Sequence, residues 1–300
     1  MSKIPVIIDT DPGIDDALAL LIAFQSKKID IKLITTVAGN VSIEKTTENA
    51  LYLVKNFGYD IPIVKGASAP LKRHVVFADD VHGESGLGNF KTEKTNALVA
   101  GSSAEDAIYA MLQASNEPMT IIALGPLTNI AHLVTKYPDA CNKIDKLYTM
   151  IGSFSGQGNI VANAEFNAYA DPEAVDVVLK SSLNIILSPM ELGIDTCIPK
   201  KMVSEKETNS KKDVLIKKMI EGGFDSVTKG SFGVHDPNTV LAITKPSLYS
   251  FKKCDVQYFV DKDKCGQMFI TLNENGRYTV QLIQDSSRVR KYFLEQLYKI

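Results

Sequence analysis

The sequence predicts an α/β fold: an open, mainly parallel, Rossmann-like sheet flanked by helices, with a C-terminal strand-helix extension. Three observations carry this reading. Short β-branched runs alternate with runs of helical period from the start of the chain. The strand runs are apolar too continuously to have a solvated face, as expected when helices cover both sides. Polar clusters then recur where the chain leaves its strands, the rim at which such sheets place their sites. No linker or internal repeat interrupts the pattern, so residues 1–300 read as one domain.

The elements follow in order. IPVIID, ending at Asp9, is a buried strand, and DDALALLIAFQSKK is a helix with too many apolar positions to be bathed in solvent. IKLITTVAG gives a β-branched strand, EKTTENALYLVKNFG a helix closed by Gly58, and IPIVKG a third strand. After a polar stretch from about Ala67 to Ala100, Ser102 and Glu105 have the spacing of a capping box for AEDAIYAMLQAS. The strand MTIIALG turns at Gly125 and Pro126 into LTNIAHLVTKY; KLYTMIG is the next strand, and Asp171 with Pro172 opens another helix before NIILSP. Lys200 to about Lys229 reads as a solvated helix, and Asp236 with Pro237 as the cap and first turn for NTVLAI. CDVQYFVD, QMFITL and YTVQLIQ are late strands around the turns DKDKCG and NENG, and SSRVRKYFLEQLYK is the terminal helix.

Composition narrows the function. With 45% hydrophobic residues the chain can fill its own core. Its 33 basic against 35 acidic residues give a net charge of −2, with no bias toward nucleic acid or an anionic membrane. The apolar run Ile4 to Ile8 is too short for a secretion signal or a membrane span, so a cytoplasmic protein is expected. The four cysteines have neither zinc-knuckle spacing nor disulfide density and are expected to be reduced.

One local feature departs from that balance. Asp9, Asp11, Asp15 and Asp16 crowd the turn DTDPGIDDA, without basic partners nearby in sequence. Pro12 and Gly13 permit a sharp reversal, and a helix start favours the negative charge of Asp15 and Asp16. Carboxylates brought together still repel, so a hard divalent cation is the natural partner, Ca²⁺ first and Mg²⁺ second. The plainer alternative is that these acids only make turn and cap hydrogen bonds. A phosphate cradle is disfavoured because the turn lacks the Gly-rich Lys/Ser arrangement, and the dinucleotide fingerprint is absent.

Together with TTVAGN, VHGESG, GPLTNIA, GNIVANAEFN and VHDP, this turn resembles the inosine-uridine-preferring nucleoside hydrolase family, and TTVAGNVSIEKTT and NAEFN look like its broad-specificity bacterial branch. The resemblance implies a calcium-dependent enzyme that hydrolyses the N-glycosidic bond of purine and pyrimidine ribonucleosides to ribose and free base. It also implies a homodimer or homotetramer. Asp11, Asp16 and Asp236 would hold Ca²⁺ with the carbonyl of Leu124, a position where many relatives carry Thr and where a backbone ligand survives the change. Asp11 would also accept the proton of the attacking water, and Asp9 would support the cluster.

The same resemblance assigns the ligand contacts. Asp15 and Asn40 would orient the ribose hydroxyls, while Asn159, Glu165 and Asn167 would hold the sugar, above all its 5′-hydroxyl, with Phe166 packing. His82 would line the base pocket and His235 would assist the leaving group. His132, within an apolar helical pattern, reads as structural, and His74 has no assigned role. Gly222, Gly223, Gly230 and Gly233 mark a candidate mobile rim, with Ser231 and Phe232 beside the pocket. Two other functions compete: a metal-dependent phosphohydrolase, against which the missing basic clamp argues, and a nonenzymatic ribonucleoside-binding protein that would release no base.

Overall fold

The structure, a computed structural model, describes residues 2–88, 101–205, 208, 210–222, 230–261 and 263–298. In chain order the elements are β1 (Ile4–Thr10), α1 (Ile14–Gln25), β2 (Ile29–Thr36), α2 (Ile43–Asn56), β3 (Ile63–Lys65), α3 (Asp79–His82), α4 (Ala104–Ala114), β4 (Met119–Ala123), α5 (Thr128–Lys136), β5 (Ile144–Met150), α6 (Phe166–Ala170), α7 (Pro172–Lys180), β6 (Ile185–Ser188), α8 (Glu191–Asp195), β7 (Ile198–Pro199), α9 (Lys200–Ser204), α10 (Lys211–Gly222), β8 (Ser231–Phe232), α11 (His235–Thr244), β9 (Tyr249–Tyr258), β10 (Met268–Leu272), β11 (Tyr278–Ile283) and α12 (Ser286–Leu297).

Nine strands form one sheet in the order β10-β9-β11-β6-β5-β4-β1-β2-β3. From β11 to β3 every neighbouring pair is parallel; only β9 runs against its neighbours β10 and β11. The sheet is thus mainly parallel, with the antiparallel pairing confined to the C-terminal extension. Strand β1 lies inside it and shows why its sequence lacks polar alternation. Val6 and Ile8 pack on one face, with α1 and α11, while Ile7 packs on the other, with α4, α5 and α7. Each such side chain gains about 1.5–3 kcal/mol from full burial, which requires apolar residues on both faces.

Helix α1 owes its density of apolar residues to its position: it packs against α2, α10, α11 and α12, and Ile14 and Asp16 through Phe24 are all buried. Its contact with α11 brings the first and last thirds of the chain together beside the C-terminal end of β1.

Several boundaries differ from the sequence reading. The cap of α4 is Ser103, whose side chain accepts from Asp106 N, so the capping signal lies one residue later than Ser102. Helix α11 starts at His235 after Val234, placing Asp236 inside the first turn rather than at the cap. Lys200 to Lys229 is broken into α9 and α10 among the described residues. Strand β9 begins at Tyr249, earlier than expected, because its first half pairs with β11 from Ile283 back to Tyr278. Ser231 and Phe232 are held in β8 by pairing with β7, so this part of the expected glycine-rich rim is tied down; Gly223 and residues 89–100 lie outside the described residues.

Candidate active site

Strand β1 delivers the first acid. Its register sets Asp9 opposite Thr35 of β2 and Ala123 of β4. Asp9 is fully buried and accepts from Thr35 Oγ1 at 2.5 Å and from Asn129 Nδ2 at 2.7 Å, while its Oδ2 has no partner. Burial pushes its pKa up to about 7, against the opposing pull of those two hydrogen bonds.

Two residues on, Asp11 takes the backbone N–H of Asn40 on Oδ2 at 2.7 Å and leaves Oδ1 buried and unpartnered. Gly39 and Gly125 press against this carboxylate so closely that a Cβ at either would overlap its oxygens. Asp16, in the first turn of α1, accepts from Thr10 Oγ1 at 2.6 Å, from Gly13 N at 3.1 Å and from Asn40 Nδ2 at 2.9 Å. The Asn40 amide also donates to the Asp11 carbonyl at 3.1 Å, so one side chain ties two acidic positions together.

Asp236 enters from the first turn of α11, so two helix N-termini converge on the acids and their dipoles favour negative charge there. Asp15, Asp16 and Asp236 each present a carboxylate oxygen, all within 4.8 Å of one another. Burial first, then the charges of neighbouring acids, holds Asp11, Asp16 and Asp236 above the ordinary carboxylate range; for Asp236 a hydrogen bond shared with Asp16 adds to the rise. No lysine or arginine among the described residues forms an ion pair with Asp9, Asp11, Asp16 or Asp236. The orphaned Asp11 Oδ1 and an all-oxygen donor set fit a hard divalent cation. Of the expected ligands, Asp16 and Asp236 stand in this cluster beside Asp15, Asp11 lies close enough for its charge to act on them, and the Leu124 carbonyl accepts from Asn167 Nδ2 at 2.7 Å.

A cavity of about 210 Å³ opens onto the cluster. Asp15, Asn40, His82, Leu124, Asn159, Glu165, Asn167, His235 and Asp236 line it, so the structure gathers nearly all the sequence-predicted residues around one space; Asp9, Asp11 and Asp16 are buried behind its wall. The rest of the lining is largely apolar: Ala78, Val81, Ile160, Phe166, Met190, Ile194 and Phe232 among others.

The sugar candidates are set by backbone contacts. Glu165 caps α6, accepting from Asn167 N at 2.7 Å and Ala168 N at 3.1 Å, and also from Gly152 N at 2.9 Å. Burial nonetheless pushes its pKa up to about 7. Asn167 Nδ2 reaches Leu124 O and Met150 O, while Asn159 Oδ1 accepts from Phe166 N at 2.8 Å.

The two histidines sit differently. His82 ends α3 and accepts the Ile14 N–H on Nδ1 at 3.2 Å, which places its own ring proton on Nε2. Gly13 makes room for it: a Cβ there would come within 2.6 Å of His82 Nδ1. His235 opens α11 with Nδ1 buried and without a partner, its ring wedged between Gly193 and Gly233. His132 lies in α5, away from the cavity lining.

Sequence reading missed the supports. Thr10, Thr35 and Asn129 hold the acids, and in α8 Gly193 lies against the His235 ring while Glu191 accepts from Ser153 Oγ. Thr35 and Asn129 do fall in the motifs TTVAGN and GPLTNIA, so their position after strands was the available signal; α8 carried none.

Residues 6–291 match the family model described as inosine-uridine preferring nucleoside hydrolase. The non-specific ribonucleoside hydrolase RihC of Escherichia coli O127:H6 is 39% identical over 259 residues, 85% of this chain and 83% of that protein; its counterpart from Klebsiella pneumoniae is 38% identical over 258 residues, with the same coverage. Among solved structures, a plant nucleoside hydrolase superposes with a TM-score of 0.89 at 29% identity, covering 99% of both chains. A purine-preferring ribonucleoside hydrolase from Gardnerella vaginalis gives 0.90 at 25% identity, covering 98% of both. A match along nearly the whole chain, with the acidic turn, the Asn-rich segment and the His-Asp turn meeting at one cavity, establishes that this chain belongs to the inosine-uridine preferring nucleoside hydrolase family.

Proposed function

We propose that the protein is a calcium-dependent hydrolase that cleaves the N-glycosidic bond of purine and pyrimidine ribonucleosides, giving ribose and free base. The observation that carries this reading is the cavity whose wall brings together carboxylate oxygens, hydroxyl-binding amides, two imidazoles and apolar side chains. Asp11, Asp16 and Asp236, with Asp15 beside them, are the groups suited to hold the ion. When bound, Ca²⁺ supplies Lewis acidity and offsets the mutual repulsion of these acids.

The remaining chemistry belongs to side chains. Asp11, beside the site suited to the ion, is the carboxylate that accepts the proton of an attacking water. The C1′–N bond breaks as the water oxygen bonds to C1′, and the surrounding carboxylates favour the positive charge that develops on the ribosyl group. Asp15 and Asn40 orient the ring hydroxyls; Asn159, Glu165 and Asn167 hold the 5′ end. His82, with its proton on Nε2, offers a donor to the base, and His235 assists the leaving group, by direct proton donation where the base is a purine with an accessible N7. Ile160, Met190, Ile194 and Phe232 read the base by shape rather than by a fixed hydrogen-bond code, which supports acceptance of both base classes.

The test is incubation with matched purine and pyrimidine ribonucleosides, identification of base and ribose, and chelation followed by Ca²⁺ readdition. Base and ribose should appear, cease on chelation and return. Phosphate release from nucleotides in their place, or saturable binding without cleavage, would overturn the proposal. We further propose a homodimer or homotetramer, to be checked by light scattering, acting in the cytoplasm.

A further inference from the structure

Helix α8 lies between the segment that follows β5 and the turn of His235, and its first residue is a heavily engaged carboxylate. Glu191 Oε1 accepts from Ser153 Oγ, Ser155 N and Ser155 Oγ, each at 2.7 Å, and Oε2 accepts from Phe154 N at 2.9 Å. All four donors come from three consecutive residues at the start of the segment that runs from β5 to α6. Burial works to raise the Glu191 pKa, and these four bonds outweigh it and hold the carboxyl below its ordinary value. It is therefore a charged acceptor, the form that makes the stronger hydrogen bonds.

The clamped segment carries Asn159 and ends at Glu165 and Asn167. Its root is fixed by β-like contacts, Ile151 N to Ser188 O at 3.2 Å and Met190 N to Gly152 O at 2.9 Å, and by Gly152 N to Glu165 Oε2. Beyond the root, Glu191 is what gathers Ser153 to Ser155. On its other side α8 meets the histidine turn: Gly193 O accepts from Val234 N at 3.3 Å, and Gly193 lies against the His235 ring. Met190 and Ile194, on the face between, line the cavity.

We infer that Glu191 is a positioning residue, which through Ser153, Phe154 and Ser155 sets the seat of Asn159 and Glu165 against the 5′ end of the ribose. The inference rests on the sugar assignment made above for that segment. It differs from a purely stabilising role in what it demands of substrates: a ligand lacking the 5′-hydroxyl has less to lose when the clamp is removed.

The experiment compares inosine and 5′-deoxyinosine as substrates for the wild-type protein, Glu191→Gln and Glu191→Ala, with melting curves for each. Glutamine keeps one oxygen acceptor and turns an NH₂ toward donors, so it should lie between the other two. For Glu191→Ala, kcat/KM for inosine should fall by about 10- to 100-fold, the scale expected when positioning groups lose their alignment. The preference for inosine over 5′-deoxyinosine should shrink in the order wild type, Gln, Ala. Equal losses on both substrates, leaving that preference intact, would mean that Glu191 only stabilises the fold and would overturn the inference; so would wild-type kinetics in both variants. If the alanine variant does not fold, the glutamine variant decides by the same ratio. A wild-type protein that releases no base overturns the functional reading itself, and one that cleaves both substrates equally overturns the sugar assignment and the inference with it.

Discussion

A carboxylate with one oxygen held by an amide and the other left buried without a donor is costly unless something else engages it, and Asp11 is in that position. Removing its charge while keeping its shape separates chemistry from folding. Asp11→Asn should remain folded and lose turnover by about 10²–10⁴-fold, the range for loss of a general base; near-normal steady-state rates would reject the role. Gly39 tests the same carboxylate from outside. Its Cβ has no room beside Asp11, so Gly39→Ala must displace the oxygens, and we expect weaker Ca²⁺ binding in titration calorimetry together with an activity loss of at least about tenfold, given the sensitivity of catalysis to small misplacements. An alanine variant with unchanged Ca²⁺ affinity would show that the carboxylate can shift without consequence. At this scale the sequence was legible where residue type is dictated by chemistry. The acids, amides and histidines of the motifs meet at one cavity, whereas Glu191 and Gly193 belong to a helix of five residues with no chemical signature, and their importance arises only from what they touch.

Elements show a different limit. The alternation of strand and helix was readable because apolar runs covered on both faces leave few competing assignments, as β1 illustrates. Ends were less readable. Ser102 and Ser103 are both capable caps, and only the packing of α4, with Ala104, Ile108 and Leu112 buried, selects the second. The early start of β9 depends on β11, a partner far along the chain. Asp171 was legible as the start of α7, but not for its full task. Besides capping Ala174 N at 3.0 Å, it accepts from Leu71 N at 2.9 Å and Thr128 Oγ1 at 2.7 Å, linking three segments. Asp171→Ala leaves those donors unmatched in a buried setting and should cost about 2–3 kcal/mol in chemical denaturation. A loss below about 0.5 kcal/mol, the level of an ordinary surface change, would count against this role.

At the scale of the molecule, the buried acids couple stability to both protons and cations. Burial raises Asp9 and Glu165 to about 7 from ordinary values of 3.8 and 4.5, and raises Asp11, Asp16 and Asp236 as well. Between about pH 4 and 7 the folded chain therefore holds protons that the unfolded chain has released, so without cation its stability should rise as pH falls through 7 and decline as pH rises. Ca²⁺ competes with those protons and should act in the opposite sense, stabilising by about 2.7 kcal/mol at a hundred times its Kd, most strongly at alkaline pH. Melting curves at pH 5.5 and 8, in chelator and in Ca²⁺, check both signs; a calcium shift in Tm that is the same at the two pH values would contradict the coupling. The meeting of α1 with α11 has one more consequence, for the making of the protein. Asp16 leaves the ribosome well before Asp236, so the cluster cannot close until α11 has been made and has docked against α1. A chain shortened before His235 should neither retain Ca²⁺ in equilibrium dialysis nor release base, and a growing chain is thereby kept from cutting nucleosides before α11 is in place.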